Sequence, residues 1–88
     1  MSAVSPWTKL PRRNIWVHSR GYVVERVVRG CWDAYLPSHD LSPGEVPDYR
    51  RAVWSSPRHK NRDAAMSTVT MEIRRVDRAL REALGGAA

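Results

Sequence analysis

The sequence predicts an α+β fold: a three-stranded antiparallel β-meander packed against one long C-terminal α-helix. Three observations lead there. Residues 15–36 hold three β-branched and aromatic runs separated by two short turn signals. Residues 61–84 carry apolar side chains spaced alternately by three and four. The length of 88 residues, 42% apolar with four Trp, allows one small core and no second domain.

Residues 1–14 read as a flexible basic arm, because Pro6, Pro11 and the cluster Arg12-Arg13-Asn14 oppose regular structure. Trp7 is the exception and is expected to tuck against the domain. The single α+β domain then spans 15–84. Its first strand is Ile15-Trp16-Val17-His18, ended by the turn signal Ser19-Arg20-Gly21. The second, Tyr22 to Val28, is the strongest β segment of the chain, and Arg29-Gly30 is the next turn. Cys31 to Leu36 forms the third, stopped by Pro37. Two short turns between three strands imply a meander. In the third strand Trp32, Ala34 and Leu36 share the face better suited to the core. In the second strand each face carries one charge, so which sheet face is open stays undetermined.

Residues 37–60 read as a long connection punctuated by Pro37, Pro43, Gly44, Pro47 and Pro57. A loop of this length is usually functional or mobile. A short helical or extended piece fits around Tyr49 to Trp54, with Trp54 anchoring it to the core. The helix over 61–84 rests on the stripe Met66, Val69, Ile73, Val76, Leu80 and Ala83. Asn61 or Asp63 caps its start and Gly85-Gly86 follows its end, leaving 85–88 as a tail. On its exposed face Glu72–Arg75, Asp77–Arg81 and Arg78–Glu82 are spaced to pair. The stripe closes the intramolecular core, and the same residues 66–83 also fit a homodimer seam.

Charge separates the chain into unequal thirds. The formal net charge is +6, with 13 Arg against 2 Lys. Residues 1–30 carry +5 of that charge, on Lys9, Arg12, Arg13, Arg20, Arg26 and Arg29 against Glu25. A localised excess of this kind is what an anionic partner exploits. The preference for Arg fits selection for a group that forks onto phosphate or carboxylate, and equally fits GC-rich coding.

Catalytic chemistry is not indicated. Ser38-His39-Asp40 places triad residue types in a row, but a triad needs convergence in space, and a turn explains the run. His18, His39 and His59 are scattered, and no phosphate loop or paired metal-ligand spacing occurs. Asp33, Asp40, Glu45 and Asp48 match no calcium loop. The single cysteine, Cys31, builds no disulfide or zinc site and reads as a small apolar filler. No enzyme, metal or cofactor is therefore expected. No apolar run of membrane-spanning length and no secretory h-region occurs, which points to a cytoplasmic protein.

Binding remains. Arg20, Arg26 and Arg29 lie on the hairpin, Arg12 and Arg13 precede it, and Trp16 and Tyr22 are interleaved with them. One helix covers one sheet face, so the other face or the hairpin edge is expected to present Arg beside aromatics. Such a β-ribbon fits the major groove of duplex DNA, with the arm following the backbone.

The run Gly21-Tyr22-x-x-x-Arg26, Gly30-x-Trp32-x-Ala34-Tyr35-Leu36 and the helix opening Asp63-Ala64-Ala65-Met66 resembles small phage- and prophage-encoded sheet-plus-helix proteins. It is also similar in topology to the AP2 and integrase arm-binding domains, over roughly residues 15–84. The resemblance implies a three-stranded sheet docking in the major groove, and a bacterial host cell as the location. It also implies a second class, a phage-encoded protein–protein inhibitor of the anti-CRISPR kind or an accessory factor. That class acts by occluding an acidic protein surface, with Tyr49 and Trp54 as aromatic anchors. A third reading is a subunit of a ribonucleoprotein or virion assembly whose arm orders on assembly.

Overall fold

The computed structural model describes residues 5–85 as one antiparallel sheet crossed by one helix. Residues 1–4 of the expected arm and 86–88 of the expected tail lie outside the described residues. The sheet has five strands rather than the three expected: β1 (Trp7–Lys9), β2 (Ile15–His18), β3 (Val23–Val28), β4 (Cys31–Pro37) and β5 (Ala52–His59). Strand order in space is chain order, β1-β2-β3-β4-β5. A 3₁₀ turn at Tyr49–Arg51 precedes β5, and the helix α1 runs from Arg62 to Gly85.

Both additional strands are edge strands, which explains why their prolines mislead. Pro6 and Pro11 bracket Trp7-Thr8-Lys9 without entering it, so the expected arm contributes a short rung against β2, Thr8 opposite Val17. Pro57 sits inside β5, where a missing N–H is tolerated because the outer side of an edge strand has no partner. The ladder between β4 and β5 shifts register there, and Arg58 takes φ +65. Its amide donates instead to Asp33 Oδ1 at 2.9 Å. The expected connection 37–60 thus divides into a shorter loop, 38–51, and a strand.

The two hairpin turns match their signals. Gly21 and Gly30 both take positive φ, +94 and +76, where a side chain is strained. Just before the Arg29-Gly30 turn the β3–β4 register shifts between Arg26 and Val28, and Val27 and Val28 turn outward, 55% and 60% exposed.

The helix packs on β3, β4 and β5. Side-chain alternation puts all four Trp (7, 16, 32 and 54) on the helix side of the sheet, with Val24, Ala34 and Leu36. Ala65 and Val69 of α1 are fully buried against them. Asn61 Oδ1 accepts from the Ala64 amide at 2.8 Å and caps the helix. The apolar stripe divides in two: Met66, Val69, Ile73 and Val76 face the sheet, whereas Leu80 is 54% exposed and every residue from Arg78 to Gly85 is exposed. A helix of 24 residues outruns a sheet of shorter strands by about two turns.

The second face is not open. Ile15, Val23 and Tyr35 are buried there, with Leu10, Val17 and Leu41 packed around them. Leu41 belongs to the loop 38–51, so that loop closes a second, smaller core. The loop is held by Glu45, whose carboxylate meets His39 Nε2 at 2.7 Å and the Ser42 amide at 2.9 Å. Among the described residues no helix is long and apolar enough to cross a membrane.

Candidate nucleic-acid interface

A meander of five strands brings alternate connections to the same end. The link 10–14, the Arg29-Gly30 turn and the β5–α1 junction share one end; the 19–22 turn and the loop 38–51 share the other. The first end gathers Lys9, Arg12, Arg13, Arg26, Arg29, Arg58, Lys60 and Arg62, eight cations, against Glu25, Asp33 and Asp63.

Of the five arginines singled out from the sequence, four meet there. Arg12, Arg13, Arg26 and Arg29 surround a shallow depression of about 320 Å³ between the β1–β2 link and the β3–β4 hairpin. The geometry is fixed from below by backbone: the Arg26 amide donates to Asn14 O at 2.9 Å, and the Leu10 amide to Ile15 O at 2.9 Å. Arg12 takes φ +60 to make the tight turn. None of these four guanidinium groups forms an ion pair among the described residues, and all four side chains are exposed. Four exposed guanidinium groups and one carboxylate, Glu25, thus line one depression.

Arg20 is separated from them. It lies at the opposite end and binds Asp77 through two contacts, Nη2–Oδ1 at 2.7 Å and Nη1–Oδ2 at 3.2 Å. The pair ties the β2–β3 turn to α1 and holds the Asp77 carboxyl below the usual range. Asp77 therefore serves Arg20 rather than the expected Arg81. Glu72 and Arg75 pair as their spacing predicts, at 2.8 Å twice.

The expected open face with Arg beside Trp16 and Tyr22 is not formed. Trp16 points to the helix side and Tyr22 is buried, because alternation assigns both to the main core. The opposite face carries the carboxylates of Glu25 and Asp33, neighbours across β3 and β4. Glu25 accepts the Tyr35 hydroxyl at 2.8 Å, and burial followed by this bond drives the Tyr35 phenol far above its ordinary range.

The aromatic anchors also separate. Tyr49 is 63% exposed. Trp54 is half-buried and stacks edge-on against Tyr22 at 5.6 Å, so it holds β5 to the core as one reading of the sequence expects. Ser38, His39 and Asp40 do not converge, since His39 turns to Glu45.

Lys9, counted in the N-terminal excess but not among the candidate site residues, reaches the basic end through β1. Sequence reasoning missed Arg58, Lys60 and Arg62, whose membership follows from β5, which returns along β4 and carries 58–62 back to the first end. The alternation Ala52-x-Trp54-x-Ser56, half-buried at each named position, is the signal that reveals that strand.

Comparison with protein-family models, curated proteins and solved structures finds no match, so the functional reading rests on this geometry alone.

Proposed function

We propose that this protein is a small non-enzymatic nucleic-acid-binding module whose contact surface is the basic end of the sheet. The observation that carries the reading is the ring of Arg12, Arg13, Arg26 and Arg29, exposed and unpaired among the described residues around one depression. Lys9, Arg58, Lys60 and Arg62 extend that field across the same end. Backbone phosphates are the extended anions that such a field selects, and the binding they give depends steeply on salt. The expected mode, a β-ribbon face in the major groove, is replaced in this proposal by end-on contact, since both faces of the sheet are covered.

The test is a mobility shift with labelled duplex DNA and single-stranded DNA at low salt. Binding that weakens steeply with salt, and that Arg26→Ala plus Arg29→Ala weakens while making its salt dependence shallower, is the expected result. Absence of binding at low salt, or indifference to that double substitution, overturns the proposal.

A second reading, an inhibitor or accessory factor acting by occluding a partner protein, is favoured by one local feature. Tyr49 and Val53, 63% and 67% exposed, stand close in sequence where the 3₁₀ turn meets edge strand β5. Nuclease-resistant capture of a protein that Tyr49→Ala releases supports this reading; loss of all partners after nuclease treatment supports the first.

A further inference from the structure

We infer that the depression beside Trp32, at the start of α1, takes one unpaired nucleotide, so that the ligand of the basic end is single-stranded or carries an unpaired overhang. This inference rests on the nucleic-acid reading and specifies its substrate.

The four Trp share one face, yet three have a partner. Trp7 stacks edge-on against His18 at 4.9 Å, Trp54 against Tyr22 at 5.6 Å, and the Arg62 guanidinium sits 4.9 Å from the centre of the Trp16 ring. Trp32 has neither an aromatic nor a cationic stacking partner among the described residues. It is half-buried, with one part in the core and another lining a depression of about 420 Å³. That volume falls in the range of small-ligand sites and has room for one nucleotide.

The other walls supply what a nucleotide needs besides stacking. Asn61 spends its side-chain oxygen on the helix cap, which leaves its amide NH₂ as a donor. Asp63 lies close by, with one carboxylate oxygen accepting from the Arg62 guanidinium at 3.4 Å and the other open to a ligand donor. Lys9 places a cation at the rim for the phosphate, beside Arg62, which stacks on Trp16 and pairs with Asp63. Asn14 borders both this depression and the arginine-ringed one, so a strand seated here continues directly over Arg12, Arg13, Arg26 and Arg29. A paired base inside a duplex presents no face to a side-chain ring, whereas an unpaired base stacks on one whatever its identity.

The experiment titrates the unmodified protein with four fluorescein-labelled ligands. They are a short single strand, the same strand lacking its bases throughout, a blunt duplex and that duplex with an unpaired overhang. The single strand and the overhang are expected to bind roughly tenfold to a hundredfold more tightly than the base-free strand or the blunt duplex, and to quench tryptophan emission. Trp32→Ala is expected to lose the same factor while the salt slope stays as before, with a thermal melt reporting its folding. The base-free strand keeps the inference falsifiable if that variant does not fold. Equal affinity for base-containing and base-free strands overturns the inference and leaves the basic-end reading intact. Failure of all four ligands to bind at low salt overturns both.

Discussion

Replacing Arg12 by Asn and Arg29 by Gln removes two of the four cations around the sheet-end depression and leaves the backbone in place. Asn suits position 12 because the residue there takes φ +60, a left-handed conformation that Asn tolerates better than most residues. Both side chains are exposed and neither has an ion-pair partner among the described residues. Stability is therefore expected to move by less than about 1 kcal/mol. Each cation that meets a phosphate of a single strand contributes about −0.7 to the slope of log affinity against log salt concentration. These four cations contribute about −2.8 to the slope, and removing two makes it shallower by about 1.4, which is about sevenfold less affinity lost for a fourfold rise in salt, whatever Lys9, Arg58, Lys60 and Arg62 add. Fluorescence anisotropy with a labelled single strand, repeated across a salt series, measures both slopes. A double variant with the parent's slope, and with its melting temperature unchanged, refutes the assignment of these arginines to phosphate contacts.

Three other outcomes follow from the geometry. Arg20→Ala leaves affinity and salt slope unchanged, because Arg20 lies at the far end. It also frees the Asp77 segment of α1, which hydrogen exchange reads as lost protection over 74–78; weakened binding in this variant contradicts the division between the two ends. Tyr35→Phe deletes the 2.8 Å bond to Glu25 from a residue only 1% exposed, and is expected to cost about 1–2 kcal/mol in denaturant unfolding, whereas a neutral result shows that the bond adds nothing. Acid weakens the fold in two stages. Burial, and secondarily Arg20, holds the His18 pKa below its ordinary 6.5, so the unfolded chain takes up a proton that the fold refuses; that share of stability is complete above about pH 6.5 and fades below it. Glu45, Glu72 and Asp77 are held below the ordinary carboxylate range by hydrogen bonds from His39, Arg75 and Arg20, and their share is lost only as the pH falls below about 4.5. Denaturant midpoints across pH for His18→Asn are expected to flatten the upper stage alone, and a persistent upper stage excludes His18 as its source.

The parts of the fold that local chemistry dictates were legible. The hairpin turns at Gly21 and Gly30 need positive φ, and the helix follows from a stripe that begins with an Asn cap. The edge strands were hidden because proline argues against β structure only where both sides of a strand are paired, and nothing local says which strands are outermost. The candidate site was half legible for the same reason. Charge counting located the excess in residues 1–30, and Arg12, Arg13, Arg26 and Arg29 do meet. Arg20 joins the opposite end because successive turns of a meander alternate ends. Lys9 joins through β1, and Arg58, Lys60 and Arg62 join only through the return of β5 along β4. The covered second face was illegible because Leu41 lies in a proline-punctuated loop whose packing no periodicity announces.

Strand order equal to chain order has a kinetic consequence. Each of the first three pairings, β1 with β2, β2 with β3 and β3 with β4, closes a short hairpin, so these strands can zip together as they leave the ribosome. Only β5 waits for a longer loop, 38–51, and the helix comes last. The arginine ring is therefore complete as soon as four strands exist. The depression beside Trp32 exists only once Asn61, Arg62 and Asp63 have docked. The basic end is thus assembled before the depression beside Trp32, and the docking of α1 is the step that completes that depression.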